Sequence, residues 1–100
     1  MMVITYVSVS VAPENVAAFE TNIRQITEAA MQLPGCLTSE WYRHPTQENY
    51  YTMYGEFASE EAFIHYRKSP VVEMIGRLLL PILLEKPRFK HFRAEVFEQG

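Results

Sequence analysis

Residues 57–70 read FASEEAFIHYRKSP and follow directly on YYTMYGE at 50–56. The tyrosine-rich stretch has the composition of a strand and the next segment has a helix start, so the junction is a strand-to-helix corner. Ser59 supplies an N-cap, and Glu60 and Glu61 put negative charge in the first turn, beside unpaired backbone N–H groups. Ala62, Phe63 and Tyr66 then share one helical face, with His65 at its edge. A histidine, several tyrosines and small residues meet at this corner, which suits a pocket and suits a packed corner equally well.

Working outward, residues 3–11 alternate Val3, Val7, Val9 and Val11 against Ile4, Tyr6, Ser8 and Ser10, the period of a strand. Pro13 fits a first helical turn. Val16, Phe19, Ile23, Ile26, Ala30 and Leu33 then form one apolar stripe, which Pro34-Gly35 ends. CLTSEWYRH at 36–44 reads as a second strand, with Leu37, Ser39, Trp41 and Arg43 opposed to Cys36, Thr38, Glu40, Tyr42 and His44. A turn at 45–49 joins it to a third strand at 50–58, so the two pair as a hairpin. Helix two stops at Ser69-Pro70, because a residue before proline resists the helical region. Residues 71–85 read as one further helix, weakened by Gly76 and Pro81. A last strand spans 88–97, with Phe92, Ala94 and Val96 opposite Phe89, His91, Arg93, Glu95 and Phe97.

One hundred residues make a single domain, 1–100. With 48% hydrophobic and 13% aromatic residues, part of the apolar surface is expected to face a second copy. The formal charge of -3 and the scattered basic residues argue against a nucleic-acid partner. Arg67 and Lys68 read as cover for the outer surface of helix two. The lone Cys36 excludes an internal disulfide and fits a reducing compartment. The N-terminus reads as a strand rather than a signal, and the run from Leu78 to Leu84 is far too short to span a membrane, so a cytoplasmic protein is expected. The three histidines have no ligand spacing and the four glycines form no phosphate cradle, so no metal or cofactor is expected.

Helices cover one face of a four-stranded sheet. The strands nevertheless carry large residues on both faces: Tyr6, Tyr42, Tyr50, Tyr54 and Phe97 on one set of positions, Trp41, Tyr51, Phe57 and Phe92 on the other. The simplest cover for a tyrosine-rich second face is the same face of another subunit.

The valine-rich first strand, the long amphipathic helix ending in LPGCLTSEW, and YGEFASEEAFIHYRKSP together resemble the antibiotic biosynthesis monooxygenase family. That family lies within the dimeric α/β barrels. The resemblance spans nearly the whole chain. It implies an α+β, ferredoxin-like protomer with a four-stranded antiparallel sheet, pairing into a homodimeric barrel. It also implies several possible activities: cofactor-independent oxidation of a quinol or polycyclic phenol by dioxygen, haem degradation, isomerisation, or binding of a small hydrophobic molecule without catalysis. The family motif usually places a histidine four residues beyond the alanine of the Ala-Phe pair. Here that position is Tyr66 and the histidine is His65, a rotation of about 100° around the helix. Haem-degrading relatives bring a tryptophan at the end of strand three, where this chain has Phe57.

Oxygenation without a prosthetic group needs a substrate that supplies its own electrons, flat apolar walls, and a group that takes a proton. His65, Tyr54 and Tyr66 are the expected catalytic residues. Tyr6, Trp41, Tyr42, Phe57, Phe63 and His91 are the expected substrate-binding residues. His91 is placed on the tyrosine-facing set and is second choice as base; His44 reads as a solvated turn residue.

Overall fold

The computed structural model describes residues 1–100 as one layer of helix on one layer of sheet. Strands β1 (Met2–Ser10), β2 (Cys36–Arg43), β3 (Tyr50–Phe57) and β4 (Arg88–Ala94) form an antiparallel sheet in the order β2-β3-β1-β4. Helix α1 (Val16–Ala30) follows a 3₁₀ turn that begins at Pro13, and α2 (Glu60–Arg67) and α3 (Pro70–Met74) follow β3. This is the ferredoxin-like α+β topology. No helix is long and apolar enough to cross a membrane.

The apolar stripe of α1 does what its spacing predicts: Phe19, Ile23, Ile26 and Ala30 are all buried against the sheet. Phe19 meets Tyr51 of β3 at 4.5 Å between ring centres. Tyr51 donates to Glu20 at 2.7 Å, and Arg43 of β2 grips the same carboxylate at 2.6 and 2.9 Å. The Arg43 hydrogen bond holds the Glu20 carboxyl below its usual range, which keeps this tie between α1 and the β2–β3 hairpin charged. Leu33 falls in the turn beyond the helix rather than in it.

At the second corner, Ser59 caps α2 by accepting from the Ala62 N–H at 3.1 Å. Ser69 caps α3 by accepting from the Val71 N–H at 3.2 Å. Phe63 and Tyr66 turn inward onto Phe57, with ring centres 5.4 and 4.8 Å from it.

Four sequence readings are corrected. The expected single helix over 71–85 is α3, then a π-helical turn (Ile75–Leu79), then a 3₁₀ turn (Leu80–Ile82). Gly76 and Pro81 prevent one regular ladder, and Asn22 of α1 donates to the Leu78 carbonyl at 3.2 Å. A bulge between Cys36 and Thr38 pairs Cys36 with Phe57, so Cys36 lies on the helix-covered face with Ser39 and Trp41, while Leu37 is exposed. β4 ends at Ala94, leaving Val96 and Phe97 outside the sheet. Finally, His91 pairs with Thr5 and Phe92 with Ile4. His91 therefore belongs to the helix-covered face and Phe92 to the tyrosine face, the reverse of the sequence expectation.

Gly35, in the turn that leads into β2, has φ +79°, and a Cβ there would lie 2.5 Å from the Ala62 Cβ. Gly35→Ala combines a left-handed backbone with a clash between two corners, so it is expected to destabilise the chain by about 2–4 kcal/mol in urea unfolding.

Candidate functional site

Between the sheet and its helices lies a chamber of ≈ 100 Å³. Its floor is Thr5 and Val7 of β1 with Met53, Gly55 and Phe57 of β3; Ile26 and Ala30 of α1, Tyr66 of α2 and Ile75 of the π turn close it. Gly55 carries no side chain where a Cβ would sit 3.0 Å from Thr5 Cγ2, so the floor stays low at that point. Thr5, Val7, Tyr66 and Ile75 also line an outer chamber of ≈ 230 Å³, which continues toward β4 between Phe63, Val72, Phe89 and His91. Arg67 stands at its rim. A third depression beyond the rim shares Phe63, Arg67 and His91 and adds Glu60 and Arg93.

Alternation along β4 aims the His91 ring at this rim. The residue is exposed as a whole, but its Nδ1 lies 2.8 Å from Thr5 Oγ1, and Thr5 is only 7% exposed. Phe63 and Phe89 flank the imidazole at 4.9 and 5.0 Å, the latter nearly parallel. Partial desolvation, then the positive charge of Arg67, hold the His91 pKa below the usual 6.5, against a weaker upward pull from the Lys90 backbone. At neutral pH the ring is therefore an uncharged imidazole. Burial pushes the Tyr66 phenol upward, so Tyr66 is a neutral hydroxyl inside the chamber, able to donate and not to act as a base.

The expected site residues separate into four places. Phe57 lines the inner chamber, Phe63 and His91 line the outer one, and Tyr66 lines both. Tyr6, Tyr42 and Tyr54 stand at positions of the opposite sheet face, where Tyr6 meets Tyr54 at 5.2 Å and Phe92 at 6.2 Å, although Tyr54 also borders the inner chamber. There Tyr54 donates to Glu56, which also accepts from Thr38, and burial followed by Glu56 pushes the Tyr54 pKa up to about 12. Trp41 packs in the helix-side core, 5.9 Å from Tyr51. His65 is exposed on the outer side of α2 and lines neither chamber. The register difference noted in the sequence is thus resolved in favour of Tyr66 as the inward residue. Thr5, Met53, Gly55 and Arg67 are among the lining residues that sequence reasoning missed. Strand parity with Val3 and Val9 would have placed Thr5 on the covered face.

The family model for antibiotic biosynthesis monooxygenase matches residues 2–95. Solved structures with the same fold include a presumed antibiotic biosynthesis monooxygenase from Caulobacter crescentus CB15, at TM-score 0.87 and 23% identity, covering 95% of this chain and 91% of that one. A conserved protein from Methanosarcina mazei Go1 superposes at 0.88 with 20% identity over 95% and 94% of the two chains. Rv0793 from Mycobacterium tuberculosis superposes at 0.86 with 14% identity over 100% of each. At these identities the structures establish the fold. A comparison with curated proteins gives no match.

The environment of His91 predicts its titration. In NMR of the intact protein its imidazole should titrate below 6.5, and Arg67→Gln should raise the midpoint by removing the neighbouring positive charge.

Proposed function

We propose, since the chain belongs to the antibiotic biosynthesis monooxygenase family, that it oxidises a small electron-rich phenol or quinol with dioxygen, the substrate itself supplying the electrons. The observation that carries this reading is the Thr5–His91 pair at the mouth of an otherwise largely apolar chamber. In the tautomer whose Nδ1–H donates to Thr5 Oγ1, the Nε2 lone pair is free to take a phenolic proton. The resulting anion gives one electron to dioxygen. The phenoxyl radical and superoxide then combine at a ring carbon into a peroxide anion, which takes back the proton and, as the hydroperoxide, loses water to leave a new carbonyl. One oxygen atom enters the ring and the other departs as water, so a phenol becomes a quinone without an external reductant.

The chain's own groups serve the early steps. Phe57, Phe63 and Phe89 offer flat walls, and the Tyr66 hydroxyl offers a donor to the substrate's oxygen. His91, in place of the solvent-facing His65, is the base. The lone Cys36 thiol suits a cytoplasmic setting.

The working form is proposed to be a homodimer joined through the uncovered sheet face. Tyr6, Tyr42 and Phe92 are 43%, 52% and 46% exposed on one continuous surface, more aromatic area than a free sheet normally leaves in water. A self-complementary pairing of two such faces covers both at once. Sedimentation should give a two-chain species, and joint Tyr6→Glu and Phe92→Glu replacement should shift it to single chains; a wild-type monomer would end this part of the reading.

Oxygen consumption over dihydroxynaphthalenes and anthrones, corrected for autoxidation, tests the chemistry. His91→Gln is expected to lower kcat/KM by about 10²–10⁴-fold, while His65→Ala leaves it unchanged. The wild-type rate should fall as acid protonates His91, with its inflection below pH 6.5. Uptake no faster than in buffer would leave the chamber as a binding site for a small hydrophobic molecule.

A further inference from the structure

We infer that Arg67, resting on the Phe63 ring beside His91, forms a subsite for an acidic oxygen carried on a flat aromatic ligand. The ligand class is an aryl anion, either a phenolate or an aryl carboxylate. The inference deepens the proposed function and rests on it only for the location of the substrate.

Charge is the first argument. The chain has two ion pairs, Arg43 with Glu20 at 2.6 Å and Arg93 with Glu60 at 3.0 Å, and Arg67 takes part in neither. Of the two arginines at the mouth, Arg93 is thus neutralised and Arg67 is not. This uncompensated cation sits on a protein of net charge -3, where the outer chamber and the neighbouring depression meet beside His91.

Geometry is the second argument. The Arg67 guanidinium carbon lies 5.5 Å from the centre of the Phe63 ring. A guanidinium held against an aromatic ring keeps its N–H edge available for an oxygen anion, and little flexibility remains to be lost on binding. Arg67 borders both the outer chamber and the depression next to it, so a ligand ring seated in the outer chamber against Phe63, Val72 and Ile75 has the guanidinium at its edge. The carbonyl end of α2 also favours a cation at position 67 without any ligand. Ligand discrimination, not stability, is therefore the quantity that decides.

The test is calorimetric binding to the intact protein, without turnover, of 2-naphthoate and its uncharged isostere 2-naphthamide. A second pair is 4-nitrophenol held on either side of its own ionisation. An Arg67 subsite should favour the naphthoate over the amide by about tenfold, the scale of a charge-assisted contact. Arg67→Gln should abolish that ratio and Arg67→Lys should keep part of it, with circular dichroism confirming that both variants fold. An Arg67-dependent gain for nitrophenolate identifies the phenolate as the source of the anion; a gain for naphthoate alone identifies the carboxylate. Equal binding of acid and amide, a ratio indifferent to Arg67→Gln, or no binding of any probe would overturn the proposal. Discrimination that depends on Arg67 without oxygen uptake on any hydroxyarene would keep the subsite and reject the oxygenase. Saturable uptake with no discrimination would do the reverse.

Discussion

The contact on which the arrangement depends is the packing of Phe63 and Tyr66 onto Phe57, where β3 turns into α2. Phe57 is 2% exposed and Phe63 8%, so both rings lose almost all contact with water, a gain of roughly 1.5–3 kcal/mol for each. That gain fixes the rotation of α2 about its axis. Once Phe63 and Tyr66 point inward, His65 must point out, since neighbouring helical positions differ by about 100°. The same rotation presents Phe63 to His91 and supports Arg67 from below. One hydrophobic contact thus determines which polar groups meet at the chamber mouth.

The sheet then divides the chemistry. On its covered face, small and apolar side chains (Thr5, Val7, Met53, Gly55) leave a hollow that α1 and the π turn do not fill. The π turn contributes Ile75 to both chambers, and its irregular ladder is held to α1 through Asn22. On the other face, Tyr6 packs edge-on against Tyr54 and Phe92, and Tyr54 donates to Glu56. Burial and the bond to Glu56 keep the Tyr54 phenol protonated, so it is a hydrogen-bond donor and not a base. Tyr54 and Glu40 nevertheless border the inner chamber, whereas Tyr6 and Tyr42 line neither chamber, so the tyrosines of the sequence do not all converge on one site.

Most of the fold was legible because it rests on periodicity. The Phe19–Ile23–Ile26–Ala30 stripe, the two capping serines and the β2–β3 hairpin are local patterns with one physical solution. The failures were failures of phase. Cys36 changed faces because a bulge inserts a residue, and no local composition marks it. His91 and Phe92 exchanged faces because the register of β4 is set by pairing with β1, across the whole chain, and by no turn of its own. At the site, Tyr66, Phe57 and Phe63 were legible from the corner. Arg67 was not, because a cation in a last helical turn looks like surface until the strand beside it is known.

The pairing of Arg67 with His91 has a consequence for proton transfer. A nearby cation lowers the affinity of an imidazole for a proton, and it lowers that of a phenol as well. The two effects oppose each other if the proton stays on His91, because imidazolium and guanidinium repel. They cooperate if the proton moves on to water, leaving a phenolate beside Arg67 and a neutral ring beside Thr5. His91 is placed for that second course: its Nδ1 meets a buried hydroxyl while the residue as a whole remains open to solvent. In the proposed reaction it is therefore a relay across the rim rather than a store. The electron-rich form of the substrate persists without a second charge building up, and the loss of an electron to dioxygen starts from an anion whose counter-charge the protein already holds in place.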